Sequence, residues 1–184
     1  MRKLIAAINM TIDGFCNHTA MTPDDEIHQH YNDLLRDAGG LLYGRTTYQL
    51  MESYWPAIVK APTGNGPEDE FAVLIDDIPK IVYSRTLKSV DWKNSTLKNE
   101  ISKEEILEMK HQSGKDLFAG SPGLIAALTE MNLVDEYQIN FIPVILGSGL
   151  ILFQNISHKV DLKLFKTKTF SNGAVIHYYK RLDN

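Results

Sequence analysis

The segment from Asp116 to Gly149 constrains the fold of this chain more than any other. An apolar strand pattern, Asp116-Leu-Phe-Ala, leads into Gly120-Ser121-Pro122, where Ser121 suits a helix N-cap and Pro122 suits the first helical position. A second apolar strand, Tyr137 to Leu146, follows the helix and ends in Gly147-Ser148-Gly149. The pattern predicts a strand–helix–strand unit whose glycine turn presents free backbone N–H groups, an arrangement suited to a phosphate.

Strand and helix patterns alternate along the 184 residues, which predicts one α/β domain over residues 1–184. Before the central unit we expect a strand at Leu4 to Ile8, a helix from Thr22-Pro23-Asp24-Asp25 to a stop at Gly39-Gly40, a strand at Leu41 to Tyr43, a proline- and glycine-rich surface loop over 56–70, a strand at Ile78 to Tyr83 and a helix from Ser102 to about His111. The tail predicts a β-hairpin, Val160 to Phe170 and Ala174 to Tyr179, around Ser171-Asn172-Gly173.

Composition excludes several classes of function. The formal net charge of −4 argues against a general nucleic-acid surface, which needs clustered Lys and Arg. Cys16 is the only cysteine, so the chain has no internal disulfide, and no apolar run approaches the roughly 18 residues of a membrane span. His28 and His30 are two residues apart and point to different helix faces, so we expect no metal site. We expect a cytoplasmic protein with no membrane partner.

Four predicted strand ends carry small or polar residues, and ligands of open α/β sheets bind at the carboxyl ends of strands. Two of these segments open helices and two contribute an arginine, so their shared chemistry is the binding of an extended polyanion such as a dinucleotide. The G-x-G-x-x-G spacing is absent. The four segments are Thr11-Ile12-Asp13-Gly14, Gly44-Arg45-Thr46-Thr47, Ser84-Arg85-Thr86 and Gly120-Ser121-Pro122.

These motifs in this order resemble the dihydrofolate reductase-like superfamily. The similarity is greatest to the branch that contains the reductase domain of the bifunctional riboflavin-biosynthesis deaminase/reductase, and it spans nearly the whole chain. It implies a three-layer α/β fold with a mixed, mostly parallel central sheet flanked by helices and a C-terminal β-hairpin, together with NADPH as cofactor. The motifs that carry the resemblance are Gly44-Arg45-Thr46-Thr47-Tyr48, Ser84-Arg85, Gly120-Ser121, Leu133-Val-Asp-Glu and Pro143-Val-Ile-Leu-Gly-Ser-Gly-Leu.

The resemblance also implies roles for individual residues. Gly44, Arg45, Thr46 and Thr47 resemble the segment that contacts the cofactor phosphates. Ser84 and Arg85 resemble the segment that holds the adenosine 2′-phosphate, and the turn Gly120, Ser121, Pro122, Gly123 resembles the pyrophosphate turn. Thr11 and Asp13 resemble the turn near nicotinamide and substrate.

Two features separate the chain from its relatives in this superfamily. Ala119-Gly120 replaces the Gly-Gly pair of dihydrofolate reductases, and the inward position of the first helix falls near His28 rather than a carboxylate, so we do not expect classical folate reduction. His28, at this inward position, is a candidate substrate-binding residue. No His-x-Glu or Pro-Cys-x-x-Cys deaminase signature is present, so we do not expect the bifunctional riboflavin enzyme.

The favoured hypothesis is an NADPH-dependent oxidoreductase that transfers hydride to a small pterin-like, pyrimidine-like or carbonyl substrate, with Asp13 orienting it or relaying a proton. The alternatives are a non-catalytic NADPH- or pterin-binding module and a stand-alone pyrimidine reductase of riboflavin biosynthesis. Apolar residues on both faces of the predicted tail hairpin, and the family resemblance, further predict a homodimer.

Overall fold

A computed structural model describes residues 1–182. Strands and helices alternate over most of the chain, as the sequence pattern predicts, but three helices lie between the second and third strands, and a strand at Ser95–Lys98 was not predicted. Their bounds are β1 Leu4–Thr11, a short 3-10 helix His18–Ala20, α1 Asp25–Arg36, β2 Ala38–Gly44, α2 Arg45–Glu52, α3 Trp55–Lys60, α4 Gly66–Asp77, β3 Lys80–Tyr83, β4 Ser95–Lys98, α5 Lys103–His111, β5 Asp116–Ala119, α6 Pro122–Glu130, β6 Glu136–Ile142, β7 Leu162–Thr169 and β8 Val175–Arg181.

The strands form one sheet in the order β4-β3-β2-β5-β1-β6-β8-β7. Every neighbouring pair from β4 to β6 is parallel, whereas β8 is antiparallel to both β6 and β7. The predicted mixed, mostly parallel sheet with a C-terminal hairpin is therefore confirmed. The two strands of the unit β5–α6–β6 are not neighbours in the sheet, because β1 lies between them and pairs with both.

The two faces of β1 are covered by different helices, which gives three layers. On one face Leu4, Ala6 and Ile8 belong to a buried cluster with residues of α5 and α6. On the other face Ile5 and Ala7 belong to a cluster with residues of α1, α2 and α4. This alternation places Asn9 and Thr11 on the same face as Ile5, the face covered by α1.

The glycine pair Gly39-Gly40 does not end the first helix, contrary to the sequence prediction. Helix α1 ends at Arg36, and both glycines lie inside β2, where the register against β5 shifts. A Cβ at Gly39 would approach the Lys115 carbonyl oxygen far inside van der Waals contact, so a close backbone approach requires glycine there. The helix also begins later than predicted, because Asp24 is the N-cap and accepts from the Ile27 N–H at 2.9 Å.

The loop predicted over 56–70 is confirmed only for residues 61–65, because helices cover the rest of this range. Pro56 lies in the first turn of α3 and Pro67 in the first turn of α4, where a proline lacks only an N–H that has no helical partner anyway. The expected helix start at Ser102 is confirmed, since its hydroxyl accepts from the Glu105 N–H at 3.3 Å. The strand predicted at Leu4 to Ile8 continues to Thr11.

Candidate functional site

All four polar strand ends lie at one edge of the sheet, because β1, β2, β3 and β5 run parallel. The ends of β2 and β5 touch directly, and the backbone N–H of Gly44 donates to Ser121 Oγ at 2.9 Å. The ends of β2 and β3 are joined by Arg45, whose guanidinium donates to Thr86 Oγ1 at 3.2 Å. The structure therefore brings three of the predicted segments into contact.

Two helices begin at this contact, and neither N-terminus is neutralised by the protein. Helices α2 and α6 have no side-chain cap and no acidic residue in the first turn. Ser121, the N-cap of α6, instead accepts from Gly44. In contrast, α1, α4 and α5 each have a side-chain cap and two acidic residues in the first turn. The paired N-termini of α2 and α6 thus concentrate unpaired N–H groups and positive dipole ends, which favour an anion.

The cationic side chains beside these N-termini are exposed. Arg85 makes no hydrogen bond or ion pair with residues 1–182, and Arg45 makes only its contact with Thr86. Ser84 is buried, and its hydroxyl accepts from the N–H groups of Thr86 and Leu87 at 3.2 and 3.0 Å. Ser84 therefore shapes the turn that presents Arg85, which remains available for a ligand.

The glycines of the turn fit a phosphate-binding role. A Cβ at Gly123 would meet nothing within 4 Å, so packing within the chain does not explain this glycine. A Cβ at Gly120 would lie 3.5 Å from the Tyr43 ring and 3.7 Å from the Ala7 carbonyl oxygen, which places the turn beside the centre of β1. A bare backbone next to two open helix N-termini matches the chemistry of a nucleotide pyrophosphate. Thr46 and Thr47 lie in the first turn of α2, within the same site.

The side chain of Asp13 links the loop that follows β1 to the loop that follows β6. Its carboxylate accepts from the Thr11 hydroxyl at 2.6 Å and from the N–H groups of Leu146 and Gly147 at 3.0 and 2.7 Å. The Thr11 hydrogen bond, helped by the two N–H groups, lowers the pKa of Asp13 below its usual value. An ionised acceptor with these partners favours a positioning role over a proton relay.

The glycine-rich segment after β6 has a structural explanation at Gly149. Its φ is +154°, and a Cβ there would collide with Asn17 Oδ1. That same oxygen accepts from the Leu150 N–H at 2.8 Å, so the side chain of Asn17 occupies the space that a larger residue would need. The loop is thereby held against the segment that follows β1.

A second part of the site lies over the centre of the sheet and was not predicted from the sequence. Ala7 and Asn9 are only partly buried although β1 is a central strand, so an opening lies above them on the α1 face. Asn9 Oδ1 accepts from the Tyr31 hydroxyl at 2.6 Å and from Asn140 Nδ2 at 2.9 Å. The signal available in the sequence was the presence of Asn9 and Asn140 within the apolar strands LIAAINMT and EYQINFI, because a buried amide needs hydrogen-bond partners.

His28 lies on α1, one turn before Tyr31. Its ring packs near the edge of Trp55, with centroids 6.4 Å apart, and near Phe71 at 6.1 Å. Its Nδ1 is buried without a partner. The structure does not bring His28 to the polar turns at the carboxyl ends of the strands, and its substrate-binding role stays a prediction.

Within residues 1–182, no cluster of three or more His, Cys, Asp or Glu side chains is arranged to hold a metal ion. Over the same residues, none of the helices combines the length and the apolar character that crossing a membrane requires. Burial raises the pKa of the Cys16 thiol to about 11, which keeps it protonated and poorly nucleophilic.

The order and pairing of the strands define a dihydrofolate reductase-like fold, and solved structures share it. The chain matches a putative riboflavin biosynthesis protein from Shewanella sp. PV-4 with a TM-score of 0.75 at 18% identity, covering 98% of this chain and 99% of that one. It matches a dihydrofolate reductase from Enterococcus faecalis, solved with NADP(H), with a TM-score of 0.64 at 16% identity, covering 98% and 97%.

Sequence comparison gives the family. The model of the RibD C-terminal domain matches residues 2–176, so this chain belongs to the RibD C-terminal domain family. The Bacillus subtilis (strain 168) protein YyaP is 31% identical over 182 residues, which is 95% of this chain and 92% of YyaP.

Proposed function

We propose that this protein is an NADPH-dependent reductase of a small planar heterocycle or a carbonyl compound. The observation that carries the proposal is the pair of uncapped helix N-termini, α2 and α6, joined by the Gly44–Ser121 hydrogen bond and flanked by two exposed arginines. Membership of the RibD C-terminal domain family and the similarity to a dihydrofolate reductase solved with NADP(H) support it. The lone cysteine is compatible with a cytoplasmic location, which we also propose.

The residues divide into two groups along the sheet. The Gly120–Gly123 turn, Gly44 and the first turn of α2 would hold the pyrophosphate, and Arg45 and Arg85 would bind the 2′-phosphate. When bound, NADPH supplies the hydride, and the protein supplies orientation and exclusion of water. The remaining opening above Ala7 and Asn9 would accommodate the substrate, with Asp13 holding the adjoining loops together.

The cofactor is tested first, by measuring the affinities of NADPH and NADH through thermal shift and calorimetric titration. A charge-assisted hydrogen bond from Arg85 to the 2′-phosphate contributes about 1.5–3 kcal/mol, or roughly 10- to 150-fold in affinity. The variant Arg85→Ala should therefore lose most of the preference for NADPH and leave NADH binding nearly unchanged.

The matched control is Lys88→Ala, which removes one exposed positive charge from the same loop. Equal affinity of the unaltered protein for both cofactors would refute the assignment of Arg85. An equal loss of NADPH affinity in both variants would show that the effect comes from general electrostatic attraction rather than from a specific contact of Arg85. Oxidation of NADPH with pterins, pyrimidines, flavins and quinones then distinguishes a reductase from a protein that only binds the cofactor.

A further inference from the structure

The amide group of Asn9 is held in one orientation by two donors. Its Oδ1 accepts from the Tyr31 hydroxyl at 2.6 Å and from Asn140 Nδ2 at 2.9 Å. Burial raises the pKa of Tyr31, so the phenol keeps its proton and remains a donor. Both lone pairs of the amide oxygen are therefore used, and the Nδ2 of Asn9 must point elsewhere.

The opposite orientation of the amides would be less favourable. If both amides were reversed, Asn9 would donate to Tyr31 and Asn140, the phenol proton would lose its acceptor, and the buried Nδ2 of Asn140 would have two unpaired hydrogens. In the observed orientation only one buried atom of this cluster is unpaired, Asn140 Oδ1. Since each unpaired buried polar group costs about 1–3 kcal/mol, the observed orientation is preferred.

The Nδ2 of Asn9 has no hydrogen-bond partner among residues 1–182 and is not buried, so it is open to the space above β1. Beside it on the same face of β1 lies Ala7, which is also only partly buried and carries no side-chain atom beyond Cβ. Next to this open donor lies Asn140, which is 1% exposed and has an unpaired oxygen. A native fold that leaves a buried acceptor unpaired beside a fixed donor gives up stability there, which is typical of a ligand site.

The topology separates this donor from the phosphate-binding turns. Sheet order places β5, with Gly120, on one side of β1, and β6, with Asn140, on the other. A cofactor that extends from β3 to β5 leaves the β6 side of β1 for the second ligand. The donor of Asn9 therefore belongs to the substrate side of the site.

We propose that Asn9 determines substrate specificity by donating a hydrogen bond to a ring carbonyl, so that the substrate is an oxo-heterocycle rather than its amino analogue. Tyr31 and Asn140 are positioning residues that fix the Asn9 amide. This inference rests on the proposed function only in treating the bound heterocycle as a substrate. Recognition by Asn9 is itself a binding property and can be measured without catalysis. A site built around a fixed donor discriminates strongly against a ligand that presents another donor at that position.

The test uses three pteridines of one skeleton as probes: lumazine with two ring carbonyls, pterin with one carbonyl and one amino group, and diaminopteridine with none. Dissociation constants are measured by calorimetry on the full chain, with and without saturating NADPH. We expect lumazine to bind at least about tenfold more tightly than diaminopteridine. Asn9→Asp, which presents acceptors only, should reverse the order, and Asn9→Leu should abolish the preference.

Tyr31→Phe frees the Asn9 amide to rotate and should reduce the preference several-fold. Its matched control is Tyr137→Phe, which removes a comparable buried hydroxyl contact, 3.0 Å to Thr129 Oγ1, on the opposite face of the sheet and should keep the preference intact. The proposal is overturned if no probe binds, if diaminopteridine binds as tightly as lumazine, or if the order survives both Asn9 substitutions. If NADPH fails to bind while the Asn9-dependent order persists, the proposed function falls and this inference stands.

Discussion

The ring of His30 is held neutral by its surroundings, so the stability of the fold should depend on pH. The ring lies between α1 and the C-terminal hairpin, 5.6 Å from the Phe170 ring, with Nε2 buried and unpaired. Its Nδ1 is 3.4 Å from Lys168 Nζ. Burial, followed by the charge of Lys168, lowers the pKa of His30 from 6.5 to about 4, and Asp33 opposes this weakly.

The sign of the pH effect follows from proton linkage. Between about pH 4 and pH 6.5 the unfolded chain binds a proton at this histidine and the folded chain does not, so the free energy of unfolding rises with pH in this window. The contribution of His30 is fully present above pH 6.5 and is lost as the pH falls towards 4. The pKa difference corresponds to at most ~3 kcal/mol, and partial exposure reduces it to about 1–2 kcal/mol.

Urea unfolding at about pH 7, 6 and 5 measures the effect, at one protein concentration because association would shift the midpoint. With a urea dependence of roughly 2 kcal/mol/M, the midpoint should fall by about 0.5–1 M between pH 7 and pH 5. His30→Gln, which stays neutral, should remove most of this slope. Lys168→Met should remove less than half, because burial is the larger cause.

Two results would refute this account of His30. An unchanged slope in His30→Gln would assign the pH dependence to other groups. A complete loss of the slope in Lys168→Met would show that the neighbouring charge, rather than burial, controls the protonation of the ring.

Four further predictions concern other parts of the molecule. Lys80→Met should destabilise the fold by about 2–4 kcal/mol in urea unfolding, because the buried ammonium donates to three backbone carbonyls, whereas the exposed Lys93→Met should change little. Gly39→Ala should cost about 2 kcal/mol or more through its backbone clash, while Gly66→Ala, with open space around it, should be nearly neutral; midpoints of unfolding compare them. Asp13→Ala should speed hydrogen exchange of the two loop amides that it binds, and unchanged protection would contradict the loop-joining role. We propose a homodimer through the exposed apolar residues of edge strand β7, so light scattering should give about twice 20.8 kDa, and a single-chain mass would refute it.

The sequence predicted those parts of the fold whose signals are local. The unit β5–α6–β6 could be recognised because a buried strand, a serine at the N-cap position and a proline follow one another directly. Helices α3 and α4 were missed because their prolines were interpreted as helix breakers. Each proline in fact lies in the first turn of its helix. The glycines of β2 resembled a helix stop because the approach of the Lys115 backbone, which requires Gly39, is a tertiary contact.

The candidate site divides in the same way. The phosphate-type turns follow from residue order, since parallel strands bring their carboxyl ends together. The cluster on the α1 face does not, because Asn9 and Asn140 are separated by 131 residues and meet only through the pairing of β1 with β6. Their separate positions in two apolar strands gave no indication of which helix side chain would meet them.

The position of β1 between β5 and β6 has a consequence for synthesis. Leu4 pairs with Leu117, and Ile8 pairs with Ile139, so β1 has partners that are made more than a hundred residues later. At about 5–20 residues per second, a ribosome needs roughly 6–25 s to deliver them. During that interval an apolar strand without neighbours is exposed to chaperones and to other nascent chains, and the assembly of the sheet cannot begin from its centre.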